Sequence, residues 1–299
     1  MILLLVFNRP DHTRRLLDCL RPLQPPALYV SADGPRAHVP TDAAACTAVR
    51  ALFSEAVDWP CTVYTQFLSH NLGCRRAVER GISWFFEHVE EGIILEDDCL
   101  PDPSFLPFCT ELLERYRHEE RVMHIAGSNP APHACRKTAT SYLFSRFSFI
   151  WGWATWRRAW RQYRPDFPDL EREWAHPAGA FSRLLPNRAA HRYLLDKFER
   201  VRNGTFDTWD YAWFYTIMRA DGLCVVPKVN LVHNIGFDAQ ATHTADKRLA
   251  RPARSLSFPL VHPPLGEPAP ALEEAFFYAS QKDRFGLLLR SLAPWYFYR

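Results

Sequence analysis

The sequence predicts an α/β protein with a mostly parallel central sheet flanked by helices. Three observations carry that expectation. Over the first hundred residues, short apolar runs alternate with helix-length segments, the pattern of crossover units that join parallel strands. Ile2–Phe7 is apolar without interruption, as a strand covered on both faces should be. Gly92–Leu95 is a further short strand, cut off abruptly by three consecutive acids, Glu96-Asp97-Asp98.

The elements follow in order. After the first strand, Asp11 can cap a helix carrying Leu16, Leu17 and Leu20. Leu28–Ala32 is a second strand, ended by the turn signal Asp33-Gly34-Pro35. A helix through Ala43–Glu55 precedes Cys61–Phe67, which alternates like a third strand. Residues 74–88 read as a helix with Ala77, Ile82, Phe85 and Phe86 inward, leading to Gly92–Leu95. Asp102 suits an N-cap and Pro103 a first helical position, for a helix running to about Arg117. Val122–Ala126 is another strand. From Ser141 the texture becomes aromatic, with Trp clusters and strand-like Leu223–Val226 and Leu231–His233. Residues 259–270 are rich in proline and read as a linker to a last helix, 271–290, and an aromatic tail, Pro294–Tyr298.

Composition narrows the function classes. The chain has 299 residues, 47% of them hydrophobic, enough for a substantial core. Its net charge is only +3 and no Lys/Arg run dominates a segment, so nucleic acid is not an expected partner. The eight cysteines form no CxxC pair, and several lie in apolar stretches, which points to a reducing compartment. The opening MILLLVF lacks a basic region before it and a small-residue cleavage site after it, and no apolar run is long enough to cross a membrane. The expected location is cytoplasmic, with peripheral contact at the inner membrane face open.

The acids after Leu95 are the strongest local signal. Ligands of open α/β sheets bind beyond the carboxyl ends of the strands. Adjacent acids there repel unless a cation or hydrogen-bond donors offset them, and carboxylate oxygens suit a hard ion such as Mg²⁺ or Mn²⁺. Alternate residues of an extended segment share a face, so all three cannot ligate one ion. Asp98 is the candidate ligand, with Asp97 or Glu96 turned to sugars. A solvated acidic turn is the plainer alternative.

Several motifs in order resemble the GT-A glycosyltransferases related to animal N-acetylglucosaminyltransferase I. That family ends a first strand in Asp-Arg, matched by Asn8-Arg9, and a second in Ser-Gln-Asp, matched by Ser31-Ala32-Asp33. Its Glu-Asp-Asp-Leu motif with a following Pro-Asp-Phe-Phe helix start is similar to Glu96-Asp97-Asp98-Cys99-Leu100-Pro101-Asp102-Pro103-Ser104-Phe105. Gly152-Trp153 resembles its Gly-Trp, and Trp209-Asp210-Tyr211-Ala212-Trp213 its Trp-Asp-Asp-Trp segment. The order holds over about residues 1–215. Asn8 departs from the family's Asp, which puts the detail of the nucleotide pocket in question.

The resemblance implies a metal-dependent, inverting transfer of a sugar from a nucleotide-diphosphate sugar, UDP-linked by analogy, to a hydroxyl of a glycan or lipid-linked glycan. Residues 1–127 would form the nucleotide-sugar half, 128–258 the acceptor and catalytic half, and 259–299 the linker and tail. Arg9 and Asp33 would contact the nucleotide, Asp33 accepting from the uracil imide. Asp97 would hold the ribose, Glu96 the transferred sugar, and Asp98 the Mn²⁺ or Mg²⁺ ion. Asp210 is the candidate general base, with Asp207 next in line; Asp207 or Thr208 also suits a helix N-cap.

His243, after a Gly236 turn, is a second candidate metal ligand, with Asn234 and Gly236 positioning its loop. Trp153 is a candidate pocket wall, whereas Trp156 and Trp160 read as one buried helical turn. Asn71-Leu72-Gly73 with Arg75-Arg76 offers a backbone turn and a cation, Arg76, near the donor. The C-terminal segment, Phe285 to Tyr298, combines apolar and basic faces and could lie on an anionic bilayer or fold back on the core. Two other functions share parts of this pattern. A sugar-phosphate nucleotidyltransferase would show a Gly-rich loop where Asn8-Arg9-Pro10 stands. A non-catalytic carbohydrate-binding protein would be expected to lose the acids, and here all are present.

Overall fold

The computed structural model describes residues 1–175, 188–237 and 251–280. Its first half is a run of strand–helix units: β1 (Ile2–Val6), α1 (Pro10–Leu20), β2 (Ala27–Ala32), α2 (Asp42–Glu55), β3 (Thr62–Phe67), α3 (Cys74–His88) and β4 (Glu91–Glu96). There follow β5 (Cys99–Pro101), α4 (Phe105–Arg115), β6 (Val122–Ala126), β7 (Tyr142–Ser145), β8 (Trp153–Trp156), β9 (Leu223–Pro227) and β10 (Val232–Asn234). Helices Arg188–Arg202 and Asp210–Arg219 lie between β8 and β9, and helix Pro270–Ser280 follows β10.

The main sheet has eight strands in the order β3-β2-β1-β4-β8-β6-β9-β7. Strands β3, β2, β1 and β4 are parallel. The expected parallel order stops at β8, which runs antiparallel between β4 and β6, and β7 is antiparallel to β9. Only β6 and β9 resume parallel pairing. The sheet is therefore mixed. The change coincides with the aromatic second half, where helix-length crossovers no longer separate every pair of strands.

Burial on both faces explains the continuous apolar strands. Ile2, Leu4 and Val6 pack with Leu16, Leu17, Leu20, Val49, Leu52, Phe105, Phe108 and Leu112, so α1, α2 and α4 cover one face. Leu3, Leu5 and Ile94 point the other way, into Ile82, Phe85, Trp153, Trp209 and Trp213. A third cluster gathers Phe147, Phe198, Tyr215, Phe276 and Phe277 in the second half. Removing one such buried aromatic costs about 3–5 kcal/mol.

Three local expectations are corrected. Helix α1 has no side-chain cap from Asp11; it begins one residue earlier at Pro10, whose fixed φ suits the first helical position, and Asp11 falls in the first turn. Asp102 is not the N-cap of α4: the cap is Ser104 and the helix starts at Phe105, while the Asp102 carboxylate accepts from the Ser104 N–H (2.9 Å) in the turn before it. Trp156 and Trp160 do not share a helical turn. Trp156 ends β8 and packs beneath α4, whereas Trp160 lies in the next helix and packs on the opposite face.

The proline-rich stretch is strapped to the body where it begins. Val261 exchanges hydrogen bonds with Ser141, donating to Oγ (2.9 Å) and accepting from N–H (2.8 Å), and Leu256 and Leu260 are buried. His243 and the segment beyond Ser280 lie outside the described residues. No described helix is long and apolar enough to cross a membrane. All eight cysteines are free thiols.

Candidate active site

The topology places a cleft where the chain reverses direction. From β1 it winds outward to β2 and β3, then returns through α3 to β4 on the other side of β1. That switch point opens a crevice beyond the carboxyl ends of β1 and β4, the ordinary ligand position of such sheets. A cleft of about 1420 Å³ lies there, bounded by residues that follow β1, β2 and β4 and by the 206–211 segment. Its size exceeds that of a single small-molecule pocket, about 300–1,000 Å³.

Glu96, Asp97 and Asp98 reach the cleft as β4 ends, and Arg9 reaches it from the end of β1. The Arg9 guanidinium bridges two of the acids. Its Nε donates to Asp97 Oδ2 (3.3 Å), one terminal nitrogen contacts Asp97 Oδ1, and the same nitrogen donates to Asp98 Oδ2 (3.0 Å). Burial works against the Arg9 charge, but Asp97 and Asp98 outweigh it and hold its pKa above the usual value. Glu96 receives no such clamp. Burial, and behind it the charges of Asp98 and Asp97, push its carboxyl well above the usual carboxylate range, with Arg9 opposing. Asp97 is also pushed up by burial, against the pull of Arg9. One cation among three clustered acids leaves excess negative charge facing the cleft, the condition a bound cation relieves.

Tertiary pairing completes the surroundings of Asp98. Antiparallel β5–β10 pairing sets Asn234 opposite Cys99. Asn234 Nδ2 then donates to Asp98 Oδ1 (3.1 Å), and the Ile235 N–H donates to the Asp98 carbonyl (2.8 Å). Gly236 passes so close that an added Cβ would lie 2.1 Å from Asp98 Oδ2, so any side chain there would displace the carboxylate. The Asn234 and Gly236 of the expected loop thus act on Asp98 directly.

The oxygen donors fit a hard divalent ion. Among the described residues no group of three or more His, Cys, Asp or Glu is arranged to hold a metal. Asp98 would supply a protein ligand, with phosphate oxygens and water completing the shell, the common mode for Mg²⁺ and a possible one for Mn²⁺.

Asp210 faces the acids from the start of helix Asp210–Arg219 and lines the same cleft; its Oδ1 accepts from Thr208 Oγ1. Asp207 is differently engaged. Its two oxygens accept from the Cys74 N–H (2.9 Å) and Arg75 N–H (3.2 Å), so it caps α3 from a distant segment. That geometry gives Asp207 a capping role.

Three other expected site residues are placed differently. Asp33 lines the cleft but is buried, and its carboxylate accepts from Asn71 Nδ2 (2.7 Å), the Leu72 N–H (3.0 Å) and its neighbour Gly34 N–H (2.8 Å). It ties the 70–73 loop to the end of β2, a fit that Gly34 makes possible because a Cβ there would collide with the His70 backbone at 2.4 Å. Arg76 is exposed and lines a shallow depression with Arg202 and Asn203, outside the main cleft. Trp153 is buried in β8, stacked on Trp209 and His124, and Trp151 lines the cleft instead. Residues two apart share a face of a strand, so alternation does not separate these tryptophans; Trp151 precedes β8, and the positive φ of Gly152 (+63°) turns the chain between them.

Sequence reasoning missed a polar knot at the end of the cleft formed by the segments after β1 and β2. Buried Asp42 accepts from Asn8 Nδ2 (2.8 Å) and Arg36 Nε (2.6 Å), and the Arg36 hydrogen bonds hold its pKa down at about 2. Arg36 also lies over the Phe7 ring. It missed, too, Phe149, Tyr193, Lys197 and Phe206, which line the cleft. No motif spacing marks these residues, because they come from separate elements.

A scan against protein-family models finds no match, and a search of curated proteins by sequence finds none either. Several solved structures are similar to the chain. Mouse xyloside xylosyltransferase 1 in its apo form is 12% identical, with 74% of this chain and 81% of that chain covered and a TM-score of 0.38. The galactosyltransferase LgtC in complex with donor and acceptor sugar analogues is 9% identical, covering 75% and 73%, with a TM-score of 0.36. A mannosyltransferase from Pyrobaculum calidifontis, in complex with GDP-Man and Mn²⁺, is 12% identical, covering 74% and 68%, with a TM-score of 0.35. All three are distant likenesses.

Proposed function

We propose that this chain is a GT-A type glycosyltransferase that moves a sugar from a nucleoside-diphosphate sugar to an acceptor hydroxyl, with a divalent ion held at Asp98. One observation carries the reading: an acidic strand end, Glu96-Asp97-Asp98, faces a second carboxylate, Asp210, across one large cleft at the sheet's switch point. Such a pair divides the labour that glycosyl transfer needs, with charge control at the leaving diphosphate and proton removal at the acceptor.

A bound Mn²⁺ or Mg²⁺ would offset the negative charge that develops on the departing diphosphate. Arg9, held by Asp97 and Asp98, presents a cation beside that position. Asp97 then orients Arg9 in place of touching the ribose, because both its oxygens are spent on the guanidinium. Glu96 is the acceptor for hydroxyls of the transferred sugar. Asp210 takes the proton of the attacking hydroxyl as the new bond forms. Attack from the face opposite the diphosphate inverts the anomeric centre. Phe149, Trp151, Tyr193 and Phe206 offer flat apolar faces on the acceptor side, suited to a glycan or lipid-linked glycan. UDP is the first nucleotide to test, and the free thiols fit a cytoplasmic setting.

The test is a screen of sugar nucleotides for donor hydrolysis and transfer with Mn²⁺, followed by NMR of the product's anomeric configuration. Metal-dependent release of a nucleoside diphosphate supports the reading. Activity on a nucleoside triphosphate plus a sugar phosphate, with none on any sugar nucleotide, would overturn it in favour of nucleotidyl transfer.

A further inference from the structure

The segment leading into Asp210 is tied to its surroundings through Asp207 and Tyr163, and Arg75 binds the flanking carbonyls of Val201 and Pro165. Asp207, three residues earlier, is bound by the N–H groups of Cys74 and Arg75 at the start of α3. Gly73, at φ +84°, leaves room for this contact, since a Cβ there would sit 2.8 Å from Asp207 Oδ2. Arg75 then reaches back. Its Nε donates to Glu79 Oε1 (3.0 Å), and its terminal nitrogens donate to the carbonyls of Val201 (2.9 Å) and Pro165 (2.8 Å). The Tyr163 hydroxyl lies 2.7 Å from the same Glu79 oxygen and 3.2 Å from the Trp209 carbonyl, which belongs to the peptide unit joining Trp209 to Asp210.

The other end of α3's entry loop belongs to the nucleotide side. Asn71 and Leu72 are bound by Asp33 at the end of β2, and Asn71, Gly73 and Cys74 line the cleft. Hydrogen bonds therefore tie the end of β2 to the 71–75 turn and that turn to Asp207, and three residues of chain, with the Thr208 hydroxyl donating to Asp210, lead from there to Asp210. A long loop would otherwise leave a carboxylate free to sample many positions, and a misplacement of about 1 Å at a reacting group can cost about 10²-fold in rate.

We infer that Asp207, Arg75 and Tyr163 are positioning residues that fix the Asp210 carboxylate through the start of α3, so that they govern the transfer step and not donor binding. This rests on the proposed role of Asp210 and extends it to groups outside the cleft chemistry.

The test uses the full chain and compares Asp207→Ala, Asp207→Asn and Tyr163→Phe with Asp210→Asn. Two quantities are read: nucleotide affinity with Mn²⁺ by calorimetry, and kcat and KM for transfer. Asn keeps one acceptor oxygen for the two N–H donors, so a graded loss is expected. The kcat should fall about 10²-fold in Asp207→Ala and by less in Asp207→Asn, with nucleotide affinity within about twofold of the parent. Tyr163→Phe removes one hydroxyl and leaves the aromatic packing, so it serves if the Asp207 variants do not fold; its kcat should fall at least several-fold with nucleotide affinity kept. A full kcat in the folded Asp207 variants or in Tyr163→Phe, alongside an inactive Asp210→Asn, would overturn the positioning role and leave the base assignment standing. Full transfer by Asp210→Asn would instead remove the base assignment on which the inference rests, and the inference with it.

Discussion

The acids that end β4 and the acids of the 203–210 segment meet in one cleft but are held in opposite ways. Glu96, Asp97 and Asp98 are consecutive on a rigid strand and share one cation, Arg9, so like charges remain close together. Asp207 is fully matched by backbone N–H donors from another element. Asp33 and Asp42 resemble Asp207, since each carboxylate is surrounded by donors. A carboxylate whose partners are all supplied by the protein stabilises the fold, whereas a cluster left with surplus charge stores a preference for an external cation. By that criterion the same residue type divides into structure and site within one cleft.

Substitutions at the two kinds of acid should therefore leave different signatures. The largest effect is expected at Asp98. Asp98→Asn should abolish Mn²⁺-dependent binding of a nucleoside diphosphate in calorimetry while leaving the melting temperature of the metal-free protein unchanged or raised, because one repelling charge is gone. Undiminished affinity with Mn²⁺ present would end the metal assignment.

Asp210→Asn comes next. Transfer should fall by about 10²–10⁴-fold, the usual effect of removing a general base, with nucleotide affinity preserved. Activity within a few-fold of the parent would show that another group takes the proton.

Asp33→Asn should show the reverse pattern. Losing a buried acceptor that serves three donors costs about 1–3 kcal/mol, read as a lower denaturation midpoint, while nucleotide affinity in the folded protein stays within a few-fold. Collapse of nucleotide affinity with unchanged stability would return Asp33 to base recognition.

The smallest expected effect is a pH dependence. Glu96 and Asp97 titrate above the ordinary carboxylate range in the folded chain, so between that range and their raised titration the folded state binds more protons than the unfolded one. Stability of the metal-free protein should then fall as pH rises through this window. The depressed Asp42 acts with the opposite sign, but its contribution is lost only as pH falls toward about 2. Melting scans from about pH 5 to about pH 8 test the point, and saturating Mn²⁺ with a nucleoside diphosphate should flatten or reverse the trend. A flat profile without metal would mean that the acid cluster is not under electrostatic tension.

Much of this was legible in the sequence. Continuous apolar strands, helix-length spacers and the abrupt acids after Leu95 are local patterns, and local pattern reports burial and strand ends directly. The parallel half of the sheet, its helices and the place of Asp98 beyond the end of β4 follow from them, whereas Arg9 and Asp210, which line the same cleft, were expected there through the family resemblance. Tertiary structure alone decided the antiparallel insertion of β8, the burial of Trp153 in place of Trp151, and the placing of Arg76 outside the cleft. It also decided how each acid is held. Asp33, Asp42 and Asp207 look no different from Asp98 in the sequence, because whether a carboxylate stands apart or beside other acids that share its cation depends on tertiary contacts, several of them to residues tens to more than a hundred positions away.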